Sequence, residues 1–307
     1  MVKLKNSRAA LANLAILITI LLWGVSGSIT KLALRELTPS VLATVRFFIA
    51  GILLLGISYK KYGRVEISGK THLKFMICGL VGYSLYFLFE NHGFNIMSAA
   101  NGTIILATIS IFTIIMEVIF LKIPTNLNKT LGVTVSIIGV IMVIGNSITI
   151  QGNQNEVIGS FLMLGAAISW SVYSIISRGF EPHIPTLTIT AYQMIYGTIF
   201  LFPIALLEGP KLFIPSPLTL FSIAYLALLC SALANFLYLF SLKELGASGT
   251  NVYINLSPFV GVIAAYFILG ESLSFFQYLG GTIIVLGVYL VNGKLKNVTI
   301  SKSAANH

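Results

Sequence analysis

Apolar residues fill this chain in long runs, and polar residues gather in the short gaps between them. Ten runs are long enough to cross a membrane: 11–33, 39–58, 73–96, 99–121, 130–150, 157–178, 185–207, 218–242, 247–269 and 273–292. A helix rises about 1.5 Å per residue, so roughly 20 apolar residues span a hydrocarbon core of about 30 Å. The gaps carry turn residues and charges, as in RELTPS, YKKYGRVEISGK and EGPKLFIPSP, and none could hold a soluble domain. The first run follows Lys3, Lys5 and Arg8 as a signal peptide would. Its uncharged stretch from Ala9 to Thr30 is too long for a signal core, so it is expected to stay. The pattern predicts an all-α integral membrane protein with ten transmembrane helices.

Composition agrees. Of 307 residues, 56% are hydrophobic and 9% charged, and the mean hydropathy is +0.93. A soluble domain carries about 25% charged residues and needs them to face water. The net charge of +10 could point to nucleic acid, but the cations sit in alternate loops. With the N-terminus in the cytoplasm, fifteen Lys and Arg fall on the inner side, three on the outer side, and Arg46 within a span. The positive-inside rule then expects a multi-pass protein of the cytoplasmic membrane with both termini inside and no nucleic-acid partner. Cys78 and Cys230 stand alone in apolar runs and read as small buried hydrophobes.

The chain repeats itself. Trp23 matches Trp170, Lys31 matches Arg178 and Arg46 aligns with Gln193, all 147 residues apart. Ala99 matches Ala247, Gly132 matches Gly280 and Gly139 matches Gly287, all 148 apart. The organisation expected is a tail at 1–10, repeats at 11–150 and 151–292, and a tail at 293–307. Each repeat holds five spans. Five is odd, so the second repeat enters from the opposite face, and the two are inverted about an axis in the membrane plane. Inverted repeats are an architecture of secondary transporters and support alternating access. No GxxxxGK[ST] loop is present, so ATP is not the expected driving force.

The five-plus-five arrangement resembles the drug/metabolite transporter superfamily, EamA-type permeases. The resemblance rests on WGxxxxxxK in the first helix and on SAANGTIILATISIF and GASGTNVYINLSPFVGVIAAYFILGE in the fourth helix of each repeat. It covers residues 10–292. The first copy departs at two places: Ser110 stands where the second has Pro258, and Ile123 where it has Glu271. The resemblance implies secondary transport of a small metabolite, with amino acids or related compounds and export the expected case; nucleoside or other uptake is the alternative.

Helical spacing selects candidates for the pathway. Gly79, Tyr83, Tyr86 and Glu90 follow i, i+4, i+7, i+11 on the third span, and Ser231, Asn235 and Tyr238 follow the same period on the eighth. Polar side chains in a bilayer face the bundle interior or water. On the fourth span Thr103, Ala107, Ser110, Ile114 and Glu117 share a face, and on the ninth Asn251, Asn255 and Pro258 do. Trp23 and Trp170 lie mid-span, where they serve as flat cavity walls or as packing. The expected substrate-binding set is therefore Trp23, Tyr83, Tyr86, Glu90, Trp170, Asn235, Tyr238, Asn251 and Asn255. This aromatic and amide lining suits a small molecule with an apolar part.

Gate or coupling roles fall to Arg46, His92, Glu117 and Pro258. Glu90 lies six residues from the outer end of its span and Glu117 four from the inner end, roughly 15 Å apart in depth, which excludes a paired-carboxylate centre. Glu90 either binds a substrate cation, carries a coupling proton, or pairs with Arg46. Pro258 frees the carbonyl of Ile254 for a substrate, or marks a packing kink. The glycine pairs 132/139 and 280/287 read as scaffold or homodimer faces. An enzyme is not expected: HExxH and GxSxG are absent, and His72, His92, His183 and His307 show no metal-ligand spacing, so neither metal nor cofactor is predicted. A channel or sensor remains a lesser alternative.

Overall fold

The computed structural model describes residues 2–122, 127–149, 154–177, 179–181, 183–209, 214–254 and 256–292. Among these residues the protein is helical, with no strand. The ten helices are α1 (Val2–Ala33), α2 (Pro39–Tyr62), α3 (Gly69–Ile96), α4 (Ala99–Leu121), α5 (Leu127–Thr149), α6 (Gln154–Ser177), α7 (Thr186–Leu207), α8 (Pro217–Gly246), α9 (247–269) and α10 (Phe275–Asn292). Seven carry apolar stretches long enough to cross a bilayer, and α5, α9 and α10 carry the shorter apolar stretches Thr130–Val143, Ser257–Leu269 and Phe275–Gly287. Local chemistry sets several starts. Ser68, Ser98 and Ser216 each accept the N–H three residues on, at 3.2–3.3 Å, which satisfies a free donor of the first turn. Pro39 and Pro217 begin α2 and α8, where a missing N–H costs nothing.

The broadest helix pairings all join the first half to the second: α5 with α10, α2 with α7, α1 with α8, and α3 with α6. The α5–α10 crossing shows the inversion directly. A Cβ on Gly139 would stand 2.7 Å from the carbonyl oxygen of Gly280, and one on Gly287 would stand 2.6 Å from that of Gly132. The two contacts exchange under the 148-residue offset and run in opposite chain directions, so the helices are antiparallel and related by the pseudo-two-fold. These glycines are thus a scaffold face inside one chain. Ser58 and Thr188 bond across α2 and α7 at 2.7 Å, near one end of the bundle. Ser40 and Glu208 bond across the same pair at the other.

The two ends differ. The end that holds residues 34–38, 97–98, 208–209 and 270–274 is cross-tied by carboxylates and is called here the clamped end. The opposite end holds residues 63–68 and 179–181 with most of the lysines and is called the basic end.

Candidate functional site

Aromatic rings fill the centre of the bundle. Trp23 of α1 and Trp170 of α6 meet edge to face at 5.2 Å, and Tyr238 of α8 packs against both at 5.3 and 5.2 Å. Tyr86 of α3 leans on Trp170 at 4.9 Å. Beside them, toward the clamped end, lies a cavity whose wall includes Trp23, Arg46, Tyr86, Glu90, Trp170 and Ser257. Its volume is about 40 Å³, room for water and too little for a metabolite.

The polar groups around this cavity are incompletely matched. The Tyr86 hydroxyl donates to Glu90 Oε1 at 2.8 Å. Arg46 is 2% exposed, donates from Nε to Ser231 Oγ at 2.9 Å, and lies 4.6 Å over the Phe87 ring. Of the alternatives for Glu90, the ion pair with Arg46 is not formed: no nitrogen–oxygen contact within 4 Å joins them, although both line the cavity. Ser231 and the ring faces occupy the guanidinium instead. Trp170 is 2% exposed and its Nε1 has no hydrogen-bond partner. Trp23 Nε1, its repeat counterpart, donates to the carbonyl of Cys230 at 3.0 Å.

Two π-helical turns divide the candidates. Residues Gly79–Leu85 of α3 and Tyr225–Leu233 of α8 are wound as π-helix. They end at positions 148 apart. A π turn holds an extra residue and rotates everything beyond it. The i, i+4, i+7 stripe therefore breaks inside α3. Tyr86 and Glu90 line the cavity, whereas Tyr83 is turned behind it. The Tyr83 hydroxyl meets Tyr173 at 3.2 Å and Asn235 Oδ1 at 3.4 Å, and Tyr173 donates to Gln193 at 3.0 Å. Asn235 Nδ2 bonds the Cys230 carbonyl at 3.0 Å and Tyr238 bonds Ser174 at 2.7 Å. Tyr83, Asn235 and Tyr238 thus belong to a buried network and do not line the cavity. The equal spacing of the stripe assumed an unbroken α-helix, and the glycines at 79 and 82 were the available sign that the turn could widen.

The fourth helix of each repeat is interrupted at the same place. Helix Ala99–Leu106 ends and Ile109–Leu121 begins. In α9 one helix ends at Ile254 and Ser257–Leu269 follows. Both boundaries match at 148 residues. Pro258 lacks the N–H that would reach Ile254. The first copy reaches the same break without proline. Ala107 and Thr108 bond back only three residues, to Ile104 and Ile105 at 3.2 and 3.0 Å, and the Thr108 hydroxyl takes the Ile105 carbonyl at 2.7 Å. A threonine that competes for a carbonyl bends a helix. Leu106, Ile109, Ile254 and Ser257 bring both breaks to the cavity wall. Pro258 is buried at its break. The Asn251 side chain and Asn255 lie outside the described residues. Glu117 is 4% exposed and is not part of the cavity wall.

The clamped end is tied by carboxylates that spacing did not single out. Glu271 accepts the N–H groups of Ala99 and Ala100 at 3.1 Å each and pairs with Lys31 at 3.2 Å. Lys31 also donates to the Met97 carbonyl at 2.7 Å. Glu156 accepts from the Ser98 N–H at 2.8 Å and from Asn101 Nδ2 at 2.9 Å. Two carboxylates thus cap the N-terminus of α4, where the helix dipole favours them. Nearby, Glu208 accepts from Ser40 and from His92 Nε2, the latter at 3.1 Å. Burial opposes its charge, but the hydrogen bonds from Ser40 outweigh it and hold the carboxyl below the usual carboxylate range. His92 therefore sits in a tie at the end of the bundle, away from the cavity wall.

A model described as the EamA-like transporter family matches residues 10–145 and, separately, residues 157–293. The chain belongs to that family. Each match covers one five-helix half, and the family makes this multi-pass membrane protein a transporter. The EamA-like chain is 30% identical over 285 residues to an uncharacterized transporter of Archaeoglobus fulgidus, covering 92% of this chain and 97% of that one. It is 26% identical to the uncharacterized transporter YyaM of Bacillus subtilis, over 89% and 90% of the two chains. A solved crystal structure superimposes with a TM-score of 0.68 at 17% identity, covering 91% of this chain and 95% of the other, which is a likeness of fold.

Proposed function

We propose that this EamA-like protein is a secondary carrier for a small amphipathic metabolite that bears both a cationic and an anionic group, the amino acid class, and that it exports it across the cytoplasmic membrane with both termini inside. One observation carries the reading. Glu90 and Arg46 line the same cavity without bonding each other, beside an indole N–H of Trp170 that has no partner. A buried charge with no counter-charge bonded to it is costly unless something completes it. An ammonium group at Glu90 and a carboxylate at Arg46 and Trp170 would do so, with the aromatic rings covering the apolar remainder. The cavity must widen to admit such a molecule, as alternating access requires. The direction is supported by the family resemblance and the orientation by the fifteen-to-three distribution of cations.

Counterflow in liposomes tests this. Preloaded amino acids should drive uptake of labelled amino acid by the wild type, and Glu90→Gln should lose it while still folding. Full activity of Glu90→Gln would remove the carboxylate from the site. Counterflow with nucleosides alone would replace the substrate class, and unsaturable flux would replace the carrier with a channel. Indifference to an imposed pH gradient would exclude proton antiport.

A further inference from the structure

A second cavity, of about 1,060 Å³, lies away from the pathway, at the basic end. It runs along the C-terminal half of α2, with Ile52, Leu55 and Gly56 at its apolar part, Arg64, Glu66 and His72 at its polar part, and Tyr192 of α7 on the far wall. Gly56 leaves it open: nothing lies within 4 Å of where its Cβ would stand. Ile52 and Tyr59 are 50% and 69% exposed, and apolar side chains exposed on a membrane-spanning helix face lipid. The groove therefore opens to the bilayer rather than to the carrier's centre.

Its mouth is folded by sequence. Gly63 ends α2 at φ 68°, with its N–H on the Tyr59 carbonyl at 2.9 Å. The positive φ favours glycine and turns the chain so that Arg64–Ile67 crosses the opening. The segment 60–72 carries Lys60, Lys61, Arg64 and Lys70 against a single acid, Glu66. Arg64 forms no ion pair among the described residues. From Ile52 to Gly63 is eleven residues, roughly 16 Å of helix, which equals about one leaflet of a 30 Å core.

We infer that this groove binds an anionic phospholipid of the bilayer, with one acyl chain along Ile52, Leu55 and Gly56 and the phosphate at Arg64. The match is of charge and of length together. Basic residues beside a helix end attract anionic headgroups by about 1 kcal/mol each, or roughly fivefold, and an apolar slot of one leaflet's depth accepts a chain. His72 is held at the wall by Tyr196, 3.1 Å from Nδ1, with its ring against Tyr192 at 5.4 Å, so the polar side of the slot is fixed before lipid arrives.

Native mass spectrometry of the purified full-length protein tests the site, with phosphatidylglycerol and phosphatidylcholine as probes. The wild type should retain phosphatidylglycerol several-fold more tightly than phosphatidylcholine. Arg64→Gln should lose about fivefold of that preference. Gly56→Leu, which fills the slot from an open position, should lose retention of phosphatidylglycerol at an unchanged melting temperature. Equal retention of the two lipids by the wild type, or undiminished preference in both variants, would overturn the inference. Equal competition by glycerol phosphate would also overturn it, because the headgroup alone would then suffice. If Arg64→Gln does not fold, Gly56→Leu decides.

Discussion

Trp23 and Trp170 occupy equivalent positions in the two halves and touch edge to face at 5.2 Å, yet only Trp23 has spent its indole N–H. The carbonyl of Cys230, in the π turn of α8, accepts it. The same residue type thus does two jobs. One ring is fastened to the scaffold, and the other, on the cavity wall, keeps a buried donor without a partner.

Replacing each tryptophan by phenylalanine should separate the jobs. Trp23→Phe loses a hydrogen bond, which is expected to cost about 1 kcal/mol of stability. Trp170→Phe loses no hydrogen bond, so its stability loss is that of a smaller ring in a packed site alone, and it should raise the apparent KM for a carboxylate-bearing substrate. Melting curves and counterflow on both variants check this, and an unchanged KM in Trp170→Phe would contradict it.

Arg46→Gln installs what the other half carries at the matching position, Gln193. The variant is expected to fold, because a glutamine serves there within the Tyr173 network. Its transport of substrates with a carboxylate should fall by at least tenfold, in the range of a lost charge-assisted bond of about 1.5–3 kcal/mol. Substrates with the carboxylate masked as an ester should be less affected.

The glycine crossing of α5 and α10 is expected to be intolerant of side chains. Gly139→Ala would place a methyl 2.7 Å from a backbone oxygen, and backbone cannot step aside. A loss of about 1–3 kcal/mol is expected. Gly56→Ala, with open space around it, is expected to stay within about 0.5 kcal/mol of wild type. Thermal melts in one detergent would compare them.

The tie at Glu208 predicts an acid limb in the stability profile. Its carboxyl lies below the ordinary range in the folded protein, so its ionisation adds stability that is complete above the unfolded value of about 4.3. That contribution disappears as pH falls from there through the lower folded pKa. Glu208→Gln should flatten this limb between about pH 5 and pH 3. Identical acid profiles for wild type and variant would remove the carboxylate from the account.

Much of the fold was legible because membrane-spanning helices announce themselves by length. The ten helices, the burial of Cys78 and Cys230, and the 148-residue offset all follow from runs and spacing. The cavity was legible only in part. Trp23, Tyr86, Glu90, Trp170 and Arg46 meet around it. Tyr83, Asn235 and Tyr238 do not, because a π turn changes the phase of a helix without changing its hydropathy. The break in α4 was hidden for a related reason: Thr108 makes with a hydroxyl what Pro258 makes by lacking a hydrogen. The ties from Glu156, Glu208 and Glu271 join residues 55 to 172 positions apart, and no local period encodes them.

The pairing of helices between halves bears on how the chain comes to be folded at all. Every broad interface in the bundle needs one helix from each half, so five helices alone would leave the glycine faces and the α2 and α6 surfaces without partners. The first half must wait in the membrane until the second has been made. Unfolding is then expected to be a single cooperative event, with neither half surviving as a domain, and a lesion in one half should be felt as loss of both.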